Sequence, residues 1–530
     1  MRRAAFLLPL IALSAVAGAR ETVDASAPSA LAVTVYRDPG RGPDEAMNRD
    51  FPEGFAMISE TRTVTLPPGE STVRFEGVAE GMVAVFAIVT GLPGGTIEKN
   101  RNAELLSPAA LVNGTLGNRV TITRTNPATG EAESERAIVR TRADGGLVLQ
   151  TDEGFEAVRC AGLPEKLTFD RVPAGLSAQP TFSIDTRDAD GGTYEVVLTY
   201  LAWGFDWQAN YVATLGEGDG EGGVDVRLTS WLTLLNDNGQ SFPDAELMAV
   251  AGRLNVESDY QELADPPTAE PLRLTCYPLG STAAGSPVPY HGALPPPPPA
   301  PPPPPMADSI IVTGSRVQSM ASPAAIMAVE EQLGDLKLYR VPESVTVAAK
   351  GLKQIVFLQK DAVEGELIYE IGCAPHRAGD EGFRPVERLL ATVNDEAHGL
   401  GVALPSGGVA IFEPSPYGPL LVGEENLRDY AEGQDVEIAL GTSEQVRAAC
   451  SHLSEHDPAE EPEAWTRMEA EVANALANPV TLRIRLGSGA DWEVRRRPEL
   501  TVRDGEWTIE AEIPANSDRK IRWSVRETDG

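Results

Sequence analysis

Histidine, cysteine and clustered carboxylates are the side chains most able to do chemistry, and this chain has only five histidines and four cysteines. The densest grouping is Cys450-Ser-His452-Leu-Ser-Glu455-His456. On a helix, His452 and His456 would face one way, as a zinc pair requires. Only Cys450 or Asp457 could add a third ligand, and a solvated polar loop accounts for the same residues. Asp185, Asp188, Asp190 and Gly191 resemble part of a calcium loop, but Val196 stands where the bidentate glutamate belongs. A turn at Asp190-Gly191 explains them at less cost. Neither G-x-S-x-G nor H-E-x-x-H occurs, and there is no C-x-x-C pair. The expectation is therefore no catalytic residue, no metal ligand and no cofactor: a protein that is not an enzyme.

Aromatic side chains offer a second kind of chemistry. Trp203, Phe205, Trp207 and Tyr211 crowd into one short stretch. On a single strand, residues two apart share a face, so these four could line one side as a carbohydrate or peptide platform. A sandwich core needs the same arrangement, and core packing is the reading adopted.

The elements that must position these residues are β-like. Thr61-Arg-Thr-Val-Thr-Leu66 alternates and stops at Pro67-Pro68-Gly69; Thr72 to Gly77 alternates again. Residues 194–201 are rich in β-branched and aromatic side chains, 208–215 follow, and an acidic glycine loop spans 216–223. Residues 224–231 alternate apolar with polar over most of their length. The 236–239 turn, Asn-Asp-Asn-Gly, predicts a hairpin joining strands near 224–235 and 244–252. Near the end, 467–472, 480–486, 500–502, 507–513 and 520–525 read as five strands of a separate C-terminal sandwich, with a turn at 474–478. Fifty glycines and 43 prolines suit a chain punctuated by turns. The fold class expected is all-β, with multi-domain antiparallel β-sandwiches and a proline-rich disordered insert.

Met1-Arg2-Arg3, the apolar run from Ala4 to Val16 and the small Ala17-Gly18-Ala19 form a secretory signal peptide pattern. Cleavage there places the mature start at Arg20. No later 18-residue apolar run exists, so no transmembrane segment is expected in the mature chain. The formal charge is −34, and 42 basic against 78 acidic residues leave −36 once Arg2 and Arg3 are removed. Such a surface repels phosphate backbones, which argues against nucleic acid as a partner. Cys160, Cys276, Cys373 and Cys450 allow three full pairings, among which the sequence does not choose, and a chain this long needs none of them.

One segment departs from the rest. Residues 262–330 lose strand patterning, and at their centre lie two runs of five prolines around Ala300. Proline has no amide donor and a fixed φ, so this tract predicts a polyproline II rod of roughly 34 Å at about 3.1 Å per residue. Beyond it, Asp308-Ser-Ile310-Ile311-Val312-Thr313-Gly314-Ser-Arg316 resembles the stretch at or beside the TonB box of TonB-dependent outer-membrane receptors. A short β-branched segment on a tether can add as a strand to a partner's sheet edge. The expected partner is an envelope protein, with a TonB-type protein the first candidate. An ordinary inserted strand is the competing reading.

Tyr200, Gly204, Trp207 and Tyr211, followed by Asn236 and Gly239, resemble the hallmark of the domain of unknown function 4139 family, the mucoidy inhibitor A-like proteins. Phe242 stands where that family often has tryptophan. Leu106-Ser-Pro108, Leu163-Pro164, Gly334-Asp335 with Tyr339, Leu404-Pro405-Ser-Gly407, Gly423-Glu424, Gly441, Asn474 and Pro479-Val480 fit in order, over roughly residues 105–527. The family's long coiled coil is missing, and the proline insert is not a family feature. The resemblance implies a β fold, usually extracytoplasmic, and no established activity.

The domain reading is then 1–19 signal peptide, 20–100 N-terminal β domain, 101–261 and 331–441 the two parts of a main β domain, 262–330 the insert, and 442–530 the C-terminal sandwich. The function expected is that of a periplasmic or outer-membrane-associated interaction protein. A carbohydrate- or peptide-binding module and a hydrolase of unknown type are the alternatives.

Overall fold

The computed structural model describes residues 20–528 apart from 43–44, 103, 144–146, 159–164, 174, 219–221, 253, 265, 270–326, 335, 378–381, 455–463 and 496–498. The leader, the proline tract and the Ile310 to Gly314 segment lie outside the described residues, as do Cys160, Cys276 and His456. Of the described residues, 61% are strand and 3% helix, so the class is all-β. The alternating runs are strands for the expected reason. In Gly223–Asn236, Val224, Val226 and Leu228 are buried while Asp225 and Arg227 are exposed.

Four sheets are present among the described residues. An eight-stranded sheet carries, in order, Val329–Leu333, Leu336–Arg340, Phe242–Ala251, Ala30–Tyr36, Phe55–Leu66, Gly192–Trp203 and Met82–Thr90, with Val345–Val347 paired beside it. A thirteen-stranded sheet runs from Leu420–Leu427 through Gly407–Glu413, Phe205–Gly218, Gly223–Asn236, Gly351–Gly372, Arg384–Val393 and Asp435–His452 into the C-terminal strands. Inner faces of both sheets share one large core. A five-stranded sheet from Arg119–Thr125 to Glu165–Thr168 has its own small core around Ile122, Val139 and Leu149. Most pairings are antiparallel, but four are parallel among the described residues: Glu21–Asp24 with Gly69–Glu76, Ala30–Tyr36 with Phe242–Ala251, Phe205–Gly218 with Gly407–Glu413, and Gly351–Gly372 with Val480–Ser488.

The 236–239 turn does not close a hairpin. The strands on either side of it exist, as Gly223–Asn236 and Phe242–Ala251, yet they belong to different sheets. Gly223–Asn236 pairs instead with Phe205–Gly218, across the acidic glycine loop. Turn chemistry specifies a reversal of direction; the burial of both flanking strands decides which sheet receives the chain. The 474–478 turn behaves alike: Thr466–Asn474 pairs with Asp435–His452 and Ser517–Glu527, and Val480–Ser488 pairs elsewhere.

All five C-terminal strands are present, with Trp492–Val494 in addition. Their core also takes Tyr369, Ile371, Cys373, Val446 and Cys450 from strands that begin in the main core. The 22-residue strand Gly351–Gly372 and the 18-residue strand Asp435–His452 thus serve both, and residue 441/442 falls inside the second of them. Cys373 and Cys450 form a disulfide just beyond the end of the first and near the end of the second.

Candidate functional site

The chain passes from one large sheet to the other at Gly204, whose φ of +86° suits a residue without a Cβ. Trp203 ends one strand and Phe205 begins the next, so the aromatic run is not one strand with one face. Phe205 and Trp207 are 0% exposed and Tyr211 is 2% exposed, all within the main core. The Trp207 indole donates to the Val250 carbonyl at 3.1 Å and the Tyr211 hydroxyl to that of Pro405 at 2.7 Å. Tyr200 is equally enclosed and donates to Glu60 at 2.8 Å. The aromatic platform expected as an alternative is thereby corrected: Trp207 and Tyr211 present no face to a ligand. Trp203, half-buried, meets the edge of Phe51 instead.

The other resembling residues are fastened here too. The Asn236 amide donates to the Gln240 and Ala348 carbonyls at 2.9 and 3.0 Å. Asn238, which sequence reasoning passed over, accepts from the Gly81 amide at 2.7 Å and donates to the Trp203 carbonyl at 3.0 Å. Gly239 lies beside Glu80, which accepts from its amide at 3.0 Å. A Cβ on Gly407 would stand 1.8 Å from the Ala209 carbonyl, so the parallel pairing needs glycine there. Between these ties sits a buried ion pair, Arg41 to Asp206 at 2.5 Å. Asp206 also accepts from the Asp38 and Trp207 amides at 3.1 and 2.8 Å. Burial pushes its carboxyl up to about 6 against the opposing pull of Arg41. Phe205, Trp207, Tyr211 and Asp206 form a buried corner of the fold.

His452 lies on a strand, and its Nε2 meets the Pro375 carbonyl at 3.0 Å, so the helical histidine pair is corrected. Asp185 accepts from Thr72 at 2.6 Å and pairs with Arg20; Asp188 accepts from Tyr194 at 2.6 Å. These aspartates are spent on strand Thr181–Asp188 and its neighbours, not on a calcium loop. Among the described residues no group of three or more His, Cys, Asp or Glu could hold a metal.

Two features stand out that no motif announced. The first is a cleft of about 330 Å³ where strand Gly351–Gly372 changes partner, from Gly223–Asn236 up to Glu366 to Val480–Ser488 from Ile368. Glu364, Glu366, Asp435, Glu437 and Glu510 line it with Arg483 and Arg503. Arg483, 1% exposed, bonds Glu437 at 2.8 Å and Glu510 at 2.9 Å, and reaches Glu370 at 3.4 Å. Its Nη2 is buried without a hydrogen-bond partner. Arg503 bonds Glu437 and reaches Asp435 at 3.6 Å. Burial raises the Glu370 carboxyl above its usual range, with Arg485 and Arg483 opposing. His398 borders the cleft, its Nδ1 2.7 Å from Asp395, whose carboxyl that bond holds below the usual range. No hydroxyl or thiol among the described residues is hydrogen-bonded to His398.

The second is the tip joining Gly407–Glu413 to Leu420–Leu427, Pro414-Ser-Pro-Tyr-Gly-Pro419. Tyr417 is 94% exposed, with Leu420 and Leu421 more than half exposed beside it. Ser415 locks the turn, donating to the Gly418 carbonyl at 2.6 Å and accepting from the Tyr417 amide at 3.1 Å. The apolar edge strand Met82–Thr90 differs: Lys99 and Arg101 donate to its Ala87 and Met82 carbonyls and so obstruct further strand addition.

No protein-family model matches this chain, and no match is found among curated proteins.

Proposed function

We propose that this chain is an extracytoplasmic interaction protein of the cell envelope, without catalytic activity, whose β scaffold presents the 414–421 hairpin tip to a protein partner. The observation that carries the reading is the apolar tip itself. Three prolines and a locked Ser415 turn hold Tyr417, Leu420 and Leu421 in water, where apolar side chains are unfavourable unless a partner covers them. A pre-ordered tip loses little entropy on docking, and tyrosine is a frequent anchor at interfaces. The partner is an envelope protein with an apolar groove, with a TonB-type protein the first candidate. In this reading Ile310, Ile311, Val312, Thr313 and Gly314 form a second contact by strand addition.

Secretion is supported by the amino-terminal residue pattern and by the Cys373–Cys450 bond, which suits an oxidising compartment. The formal charge of −34 argues against nucleic acid. A photo-crosslinking residue at position 417 in intact cells should capture one discrete envelope protein. Tyr417→Ser with Leu421→Ser should abolish co-purification of that protein from the wild-type background. Undiminished co-purification would sink the proposal. Ile311→Pro tests the second contact in the same assay, since proline removes an amide donor from any added strand.

A further inference from the structure

The five-stranded sheet sorts its charges by face. Its strands are Phe155–Ala157, Val148–Gln150, Ala132–Val139, Arg119–Thr125 and Glu165–Thr168, in that order. Register places Val120, Ile122, Ala137, Val139 and Leu149 on the side of the small core. Glu133, Glu135, Glu156 and Glu165 fall on that side too. Arg124 gathers three of these carboxylates: it bonds Glu135 and Glu156 and reaches Glu165 at 3.5 Å. The opposite face holds Arg119, Arg136 and Lys166, all exposed, among Thr121, Thr123, Ser134 and Thr168. No strand position on it is acidic among the described residues; Glu131, Asp152, Glu153 and Asp170 lie outside the strands. None of its three basic side chains makes an ion pair among the described residues.

At its Arg119 end this face meets a cleft of about 1050 Å³. Arg119 and Ile138, opposite one another in the sheet, line it with Val172 and a further guanidinium without an ion pair, Arg171. Asp170 is its one carboxylate among the described residues. The unit is also the electrostatic exception of the chain. Residues 110–173 hold eight basic and nine acidic side chains, whereas the other 466 hold 36 and 69. Salt screens the field of that acidic remainder over about 8 Å, so anions can approach here. Arg119 and Arg136 are diagonal neighbours about 7–8 Å apart, and Lys166 lies two strands, about 10 Å, from Arg136. Cations set out over three strands match several separate anions on a surface rather than one. Phe155, 71% exposed, shares the face through its pairing with Gln150, and Val172 is 49% exposed in the cleft. A charged acidic polypeptide offers nothing apolar to these side chains. The headgroup–acyl boundary of a bilayer takes apolar and cationic groups together.

We propose that this outer face is a membrane-surface contact: Arg119, Arg136, Lys166 and Arg171 bind the phosphates of anionic lipids, and Phe155 enters the headgroup layer. The contact is separate from the hairpin tip, so Tyr417→Ser leaves it untouched and either proposal can fail alone.

The test is sedimentation of the full chain with vesicles at physiological salt. Binding is expected to vesicles of equal phosphatidylglycerol and phosphatidylcholine, and not to pure phosphatidylcholine. Each basic residue near an anionic surface is worth about fivefold in affinity. Arg136→Gln and Lys166→Gln, exposed changes that leave the core intact, should therefore weaken binding about fivefold each and about 25-fold together. Phe155→Ser should weaken it while leaving its salt dependence unchanged. Failure to bind the phosphatidylglycerol vesicles, or equal binding to both kinds, would overturn the proposal. So would affinity unchanged by the double charge variant or by Phe155→Ser. Soluble polyglutamate bound as firmly as the vesicles would overturn it too, and would assign the face to an acidic polypeptide.

Discussion

Two buried charge sites in this molecule are built in opposite ways. At the Gly204 corner, one carboxylate, Asp206, is closed in by one guanidinium and two backbone amides. At the strand-exchange cleft, one guanidinium, Arg483, is surrounded by three carboxylates and still has a nitrogen to spare. The surroundings differ likewise. Residues 466–530 hold 11 basic and 12 acidic side chains, whereas the preceding 465 hold 33 and 66. At the corner, the Arg41–Asp206 pair fastens a loop to the core and Arg41 Nε too is buried without a hydrogen-bond partner. Where both signs are plentiful, the network overfills one partner and leaves another short.

The contrast can be broken most severely at the corner. Arg41→Met leaves Asp206 buried without its cation and should cost about 3–5 kcal/mol in urea unfolding at neutral pH. Next comes pH. The folded pKa of Asp206, about 6, lies above its ordinary 3.8. The native state therefore holds this proton more tightly than the unfolded chain. The stability it contributes is fully present below about pH 4 and is lost as pH rises through about 6, by about 3 kcal/mol at most. Asp206→Asn should flatten that slope. Glu506, held below its ordinary range by its bond to Arg485, has the reverse sign. Its contribution is present above the unfolded pKa and is lost in acid, so Glu506→Gln should reduce the acid sensitivity of the C-terminal unit. Paired Cys373→Ser and Cys450→Ser, which open a bridge spanning 77 residues, should lower stability by about 2–4 kcal/mol. Tyr417→Ser should change stability by less than about 0.5 kcal/mol while removing partner capture.

Much of the scaffold is visible in the residues alone. Alternation in 224–231 and in the five C-terminal runs reports which side of each strand is dry, and the strands lie there. The Trp207 and Tyr211 core is visible for the same reason. Sheet membership is not. Asn236 to Gly239 reads as a hairpin because local chemistry encodes a reversal, while the choice of sheet depends on side chains far along the chain. His452 and His456 suggest a metal pair only if that stretch is helical, and strand pairing with Thr466–Asn474 makes it extended up to His452, while His456 lies outside the described residues. The cleft left no local trace. Glu366, Glu437, Arg483, Arg503 and Glu510 come from five separate strands, and each alone reads as a solvated polar position.

Strand Gly351–Gly372 is one continuous element that contributes to both large cores. At about 3.3 Å per residue it extends roughly 70 Å, and its two halves are gripped by different neighbours, Gly223–Asn236 at one end and Val480–Ser488 at the other. The second grip is parallel, so a pull between the two regions loads its five paired positions together in shear rather than peeling them apart singly. The Cys373–Cys450 disulfide ties the chain just past its far end to strand Asp435–His452.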